Sequence, residues 1–195
     1  MPKPHKFDKF LKAMLTMFGI GYSKYAPGTL ASFATCIIYF LIYYLSFNNI
    51  TLFLFYYNPE YVVYFLIIIT ISSINLINNR SFRNKFAKLF KKNDPKEIVI
   101  DEFIGQSIPI ISYWYFNFGV ANDSFKNASS FFYFNSFWAW IITSFILFRF
   151  FDILKPYPIN IIDKKMKSGL GIMLDDIIAG IYSTIAGFII WTLWF

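Results

Sequence analysis

Asp175-Asp176-Ile177-Ile178-Ala179-Gly180-Ile181-Tyr182-Ser183-Thr184-Ile185-Ala186-Gly187-Phe188-Ile189-Ile190-Trp191-Thr192-Leu193-Trp194-Phe195 decides the fold class of this chain. Nothing charged follows its two aspartates, and a helix needs roughly 20 apolar residues of this kind to cross a bilayer. Residues 25–59, 61–79, 103–122 and 127–148 are equally free of charge. The pattern predicts helices near 29–47, 61–78, 96–115, 130–150 and 176–195, with 50–57 lying along the membrane surface. The third is the most interrupted, because Asp101, Glu102, Gln106 and Pro109 fall within it.

Composition agrees. The 195 residues are 57% hydrophobic and 15% charged, with a mean hydropathy of +0.50. A soluble domain of this length needs more charge to cover its surface, whereas a membrane protein has lipid as solvent. The expectation is an all-α, polytopic membrane helical bundle of about five spans, with residues 1–195 forming one domain. Phe and Tyr are abundant, and so are Ile, Asn and Lys. All five have A/T-rich codons, so mutational bias accounts for the aromatics better than an aromatic binding site does.

The net charge of +7 points to anionic lipid rather than nucleic acid in so apolar a chain. Residues 1–24, 78–97 and 148–167 hold five, seven and five Lys or Arg, which is all of the 18 but Lys126. The two intervening connections hold only Glu60, Asp123 and Lys126. By the positive-inside rule the N-terminus lies in the cytoplasm and the C-terminus outside.

That topology brings four segments to the inner boundary, each with a local motif. Gly19-Ile20-Gly21 and Ala26-Pro27-Gly28-Thr29 lead into the first span; such glycines and a helix N-terminus can cradle a phosphate, or simply form a turn. In the second, Asp94, Pro95 and Glu97 read as N-cap, N1 and N3 of a capping box. Asp101 and Glu102 would then sit roughly 9 Å into the helix, where adjacent carboxylates are costly unless a cation meets them. Arg149 and Asp152 share a face at i, i+3 near the end of the fourth span. Lys155 follows before Pro156, an arrangement that also fits a snorkelling basic helix end. Asp175 and Asp176 open the last span, a pair exceeding what a cap requires. Two carboxylate pairs with Arg and Lys at headgroup depth are equipment for Mg²⁺ and phosphate. With His5 the only histidine, and Cys36 the only cysteine, lacking a Cys-x5-Arg loop, histidine and cysteine nucleophiles are excluded. Hydrolysis by metal-activated water remains.

These blocks resemble the phosphatidylglycerophosphatase A family. The resemblance lies in Gly19-x-Gly21 with Ala26-Pro27-Gly28-Thr29, in Asp94-Pro95 with Ile98-Val99-x-Asp101-Glu102-x-x-Gly105, in Arg149-x-Phe151-Asp152-x-x-Lys155-Pro156-x-Pro158, and in Gly171-Ile172-Met173-x-Asp175-Asp176-x-x-Ala179-Gly180. Ala31-Ser32 stands where the family pattern often has Gly-Ser. The resemblance implies an all-helical fold and Mg²⁺-dependent removal of the terminal phosphate from phosphatidylglycerophosphate, giving phosphatidylglycerol. It also implies a multi-pass protein of the bacterial cytoplasmic (inner) membrane, acting on a membrane phospholipid at the cytoplasmic face. Motif position and the inner-face argument together assign Asp101, Glu102, Asp175 and Asp176 to one or two Mg²⁺. They assign Arg149 and Lys155, with Gly19, Gly21, Gly28 and Thr29, to the phosphate, and Asp152 to orienting the cations. A small cation or metabolite transporter is the competing reading; it fits buried carboxylates but not charges gathered at one face. A non-catalytic assembly subunit would leave the acid pairs without a purpose. The sequence fixes no oligomeric state.

Overall fold

The computed structural model describes residues 5–46, 59–86, 95–115, 130–166 and 168–194. The first helix, α1 (Lys6–Leu15), is amphipathic: Leu15 is buried while Phe7 and Phe10 are exposed. Its Asp8 pairs with Lys85 at 2.9 Å, tying it to the short α4 (Arg80–Lys85), which Asn79 caps by accepting from Phe82 N. After α1 the chain reverses through the 3-10 turn Met17–Tyr22, where Gly19 takes a φ of 104°. That conformation suits a residue without Cβ.

Between these lie α2 (Pro27–Ser46) and α3 (Pro59–Asn78), each opening on a proline, whose fixed φ and missing N–H suit the first helical position. α6 (Ser130–Leu154) and α8 (Gly169–Trp194) are longer, and the brief α7 (Ile159–Lys165) connects them. α2, α3, α6 and α8 are each long and apolar enough to cross a membrane. Their outer faces are apolar too, with Phe65, Ile68, Ile146 and Ile185 all more than half exposed. A lipid-facing surface requires this.

α5 (Ile100–Trp114) is different. Its 15 residues span about 22 Å at 1.5 Å each, short of the roughly 30 Å of hydrocarbon. It is enclosed by α2, α3, α6 and α8, and Ile104, Gln106, Ser107, Ile110 and Trp114 are buried. Its closest approach is to α8. Pro109 has no N–H, so the Gly105 carbonyl one turn earlier loses its helical donor. Gly180 of α8 packs against that carbonyl, and a Cβ there would collide with it. A Cβ on Gly105 would in turn lie 2.6 Å from the Asp176 carbonyl and from the Phe148 ring. The two glycines let the α5 and α8 backbones meet. At one end the interior is aliphatic (Leu15, Ile77, Val99, Met173), and at the other aromatic (Tyr39, Trp114, Phe137, Trp140). Midway, Gln106 donates to Ser144 Oγ at 3.4 Å and Ser183 to the Ser144 carbonyl at 3.1 Å.

The all-helical expectation holds, with two corrections at helix starts. The capping box does not form on Pro95 and Glu97: Ile98 N closes a turn on Pro95 O, Val99 N donates to Leu15 O, and α5 begins only at Ile100. The Glu97 carbonyl is pinned against Gly21, which diverts the backbone from helix. Asp94 lies outside the described residues, as does the surface segment 50–57. The last helix starts at Gly169 rather than near 176, so Asp175 and Asp176 are not caps. They sit six and seven residues inside, about 9–10 Å along the axis.

Candidate metal and phosphate site

Four helix ends or near-ends deliver acids to one pocket. Asp101 and Glu102 come from the first turn of α5, Asp152 from the last turn of α6, Asp163 from α7, and Asp175 and Asp176 from within α8. Lys155 and Lys96 complete the charged lining, with Pro27, Ile98, Met166 and Gly171 among the rest, around a cavity of about 180 Å³.

Asp101, Glu102 and Asp176 converge: one carboxylate oxygen from each lies within 4.8 Å of the others. Glu102 Oε2 is buried with no hydrogen-bond partner. Three carboxylates close together inside a protein repel one another and lose hydration. Oxygen-only donors in this arrangement suit a hard divalent cation, so the cluster could hold a metal ion. Gly28 helps to make it. The Glu102 carboxylate occupies the space a Cβ at residue 28 would need, so it rests by the N-terminus of α2, where the helix dipole favours negative charge.

Asp175 turns elsewhere. Its Oδ2 accepts from Lys155 Nζ at 2.8 Å, and Asp163 Oδ1 lies 3.1 Å from the same nitrogen. Lys155 has a φ of 43°, a left-handed conformation that costs a non-glycine residue roughly 1 kcal/mol or more. Its N–H still bonds Phe151 O as α6 ends. Burial works against its ammonium, but Asp175 and Asp163 outweigh it and hold the pKa above the usual lysine value. An ammonium has three donors, so two carboxylates leave one free.

Arg149 pairs with Asp152 at 2.7 Å, donates to Ser32 Oγ at 3.4 Å, and lies over the Phe148 ring. Asp152 lines the pocket, and Arg149 stands behind it. The expectation has Asp152 orienting the arginine toward phosphate; here Asp152 is among the lining residues and Arg149, its ion-pair partner, is not. Gly19 lies on a separate groove with Ile20, Leu30 and Phe33. Gly21 packs on the Glu97 carbonyl, and Thr29 is half-buried outside the pocket lining. Sequence reasoning passed over Asp163 and Lys96. Lys96 is exposed at the rim and makes no ion pair among the described residues.

The family profile described as phosphatidylglycerophosphatase A matches residues 13–191. The chain is 57% identical over 53 residues to phosphatidylglycerophosphatase A of Haemophilus influenzae, a match covering 27% of this chain and 32% of that protein. It is 30% identical over 182 residues to a putative phosphatidylinositol-3-phosphatase of Bacteroides thetaiotaomicron, covering 92% and 93% of the two chains. To phosphatidylglycerophosphatase A of Escherichia coli K12 it is 29% identical over 166 residues, 85% of this chain and 74% of the other. No solved structure matches.

Proposed function

The chain belongs to the phosphatidylglycerophosphatase A family, and from that membership we propose that it hydrolyses the terminal phosphate monoester of phosphatidylglycerophosphate to give phosphatidylglycerol, using Mg²⁺ held by Asp101, Glu102 and Asp176. The observation that carries the reading is the convergence of those three carboxylates beside Lys155 at one end of a membrane bundle. Six carboxyl groups and two lysines line the pocket, so a phosphate dianion is repelled unless a cation enters with it. Bound there, Mg²⁺ would polarise a phosphate oxygen and acidify a water.

The protein's own groups do the rest. Asp175 and Asp163 hold Lys155 charged, and its remaining donor meets a phosphate oxygen. Arg149 balances Asp152 from behind. Lys96 meets the headgroup as it arrives at the rim. The lipid tails stay in the bilayer. The site then faces the cytoplasm of a bacterial inner membrane, as the division of basic residues supports. Charges gathered at one end rather than at mid-depth argue against the transporter reading.

A second substrate has support of its own. The Bacteroides relative aligns along nearly its whole length and is named for an inositol lipid, which carries the same phosphate monoester on a polyol headgroup. The test is phosphate release by purified protein from phosphatidylglycerophosphate, phosphatidylinositol 3-phosphate, phosphatidic acid and glycerol 3-phosphate, each with Mg²⁺ and with EDTA. Phosphatidylglycerophosphate is expected fastest, and EDTA is expected to abolish turnover. Faster turnover of the inositol lipid would reassign the substrate, and full activity after metal removal would refute the metal site.

A further inference from the structure

A groove of about 360 Å³ opens sideways between α3, α5 and α8, lined by Ile104, Ile108, Ile111, Ser112, Thr70 and Ile177 among others. We infer that this groove holds one acyl chain of the lipid whose headgroup occupies the acid pocket.

Continuity with the acid cluster is the first reason. At 100° per residue, Asp101, Ile104, Ile108 and Ser112 fall on one face of α5. Asp101 heads the row that the groove residues continue. The one α8 residue in the lining is Ile177, which follows Asp176 in the chain. A lipid with its headgroup at the carboxylates would then lay one chain along the isoleucines.

Depth is the second. From Ile104 to Ser112 the groove runs about 12 Å at 1.5 Å per residue. One leaflet offers roughly 15 Å of hydrocarbon, half the thickness of the core. The groove therefore matches a chain from the leaflet that carries the headgroup, and does not continue into the other.

Chemistry is the third. The two hydroxyls in the lining are already spent: Thr70 Oγ1 donates to Leu66 O at 2.7 Å and Ser112 Oγ to Ile108 O at 2.8 Å. Nothing in the lining asks for a polar partner, so hydrocarbon fits and a headgroup, peptide or sugar does not.

The assignment rests on the headgroup reading given above, so the experiment separates the two. Thr70→Phe and Ser112→Phe fill the groove, while Ile68→Phe adds the same ring to the exposed face of α3 outside it. Turnover of dioleoyl and of dihexanoyl phosphatidylglycerophosphate is compared in each. The long-chain to short-chain ratio is expected to fall about tenfold in the groove variants, the worth of one to two methylenes of burial. Short-chain turnover falls less than long-chain turnover in the groove variants, and the Ile68→Phe ratio stays near wild type. An unchanged ratio in both groove variants, or an equal fall in Ile68→Phe, would overturn the groove. A variant that fails to fold loses both substrates. A second measurement covers that outcome, and also a wild type that hydrolyses neither lipid, which would sink the headgroup reading alone. Phosphatidylglycerol with a diazirine midway along one chain is photolysed with the wild-type protein. Label concentrated between residues 104 and 112 supports the groove. Label spread evenly over the exposed faces of α3 and α8 refutes it.

Discussion

Asp101, Glu102 and Asp176 repel one another in the metal-free protein, and removing one charge has two opposite consequences. Asp101→Asn, Glu102→Gln or Asp176→Asn relieves the repulsion, so thermal stability in EDTA is expected to equal or exceed wild type. If the cluster holds Mg²⁺ as proposed, the same change removes a ligand. Turnover should fall about 100-fold or more, on the order of 3 kcal/mol. The rise in Tm that saturating Mg²⁺ gives the wild type, worth about 2.7 kcal/mol at a hundred times Kd, should shrink. A Mg²⁺-induced rise that survives in all three variants would remove them as ligands. Asp175→Asn belongs to another class, since its carboxylate serves Lys155: it should lower turnover while leaving the Mg²⁺ shift intact. Lys155 also has a testable pH signature. Its folded pKa lies above its ordinary one, so its charge contributes at every pH below the usual lysine range and is lost only above it. Lys155 therefore gives the rate no titration below the usual lysine range, and Lys155→Arg should leave the pH dependence between about pH 7 and 9 unchanged. At this scale the carboxylate cluster was legible in the sequence, because aspartates amid apolar residues are expensive enough to need a reason. Asp163 and Lys96 were not, because each sits in a charged segment where one more charge is unremarkable.

Among the elements, glycine was the residue type whose role the sequence left most open. The missing Cβ serves a phosphate or a neighbouring backbone equally well, and only the fold says which neighbour is there. Gly28 makes way for a side chain, whereas Gly180 makes way for the Gly105 carbonyl. The two should respond differently to the same substitution. Gly28→Ala asks the flexible Glu102 side chain to move, so folding should be nearly unaffected while turnover drops. Gly180→Ala pushes backbone against backbone and should cost stability in the 1–3 kcal/mol range of overpacked interiors. Thermal unfolding and turnover measured on the same preparations separate the cases. Equal loss of stability in both would contradict the distinct contacts. The short helices α1, α4 and α7 escaped the sequence reading because their lysines and arginines mask the apolar stripe. The late start of α5 escaped it too: the contacts that hold Pro95–Val99 out of helix come from Leu15 and Gly21, more than 70 residues earlier in the chain.

Among the described residues, every acid but Glu60 shares one end with the basic residues, and the proposed function requires that end to face the side where the lipid is made. Hydropathy made the long helices readable, because each must satisfy its own backbone in lipid. It could not show that α5 would be the enclosed, shorter one, since burial among helices and burial in lipid look alike in sequence. The side of the membrane is testable without any assumption about chemistry. Cys36 is the chain's sole cysteine and is buried, so Cys36→Ser gives a background free of thiols. In it, Lys88→Cys lies in the most basic connection and Asp123→Cys in the connection holding only Asp123 and Lys126. A membrane-impermeant maleimide added to intact spheroplasts is expected to label Cys at 123 and to spare Cys at 88, which reacts only after permeabilisation. The reverse result would put the acid pocket outside, against the proposed cytoplasmic reaction but not against the metal cluster itself. Labelling of both from one side would be more serious. α5 is the only described helix between the two sites; enclosed by its neighbours rather than by lipid, it has to supply the crossing that sets Asp101 at the level of Asp152 and Asp176, and without that crossing the convergence on which the proposed activity depends would be broken.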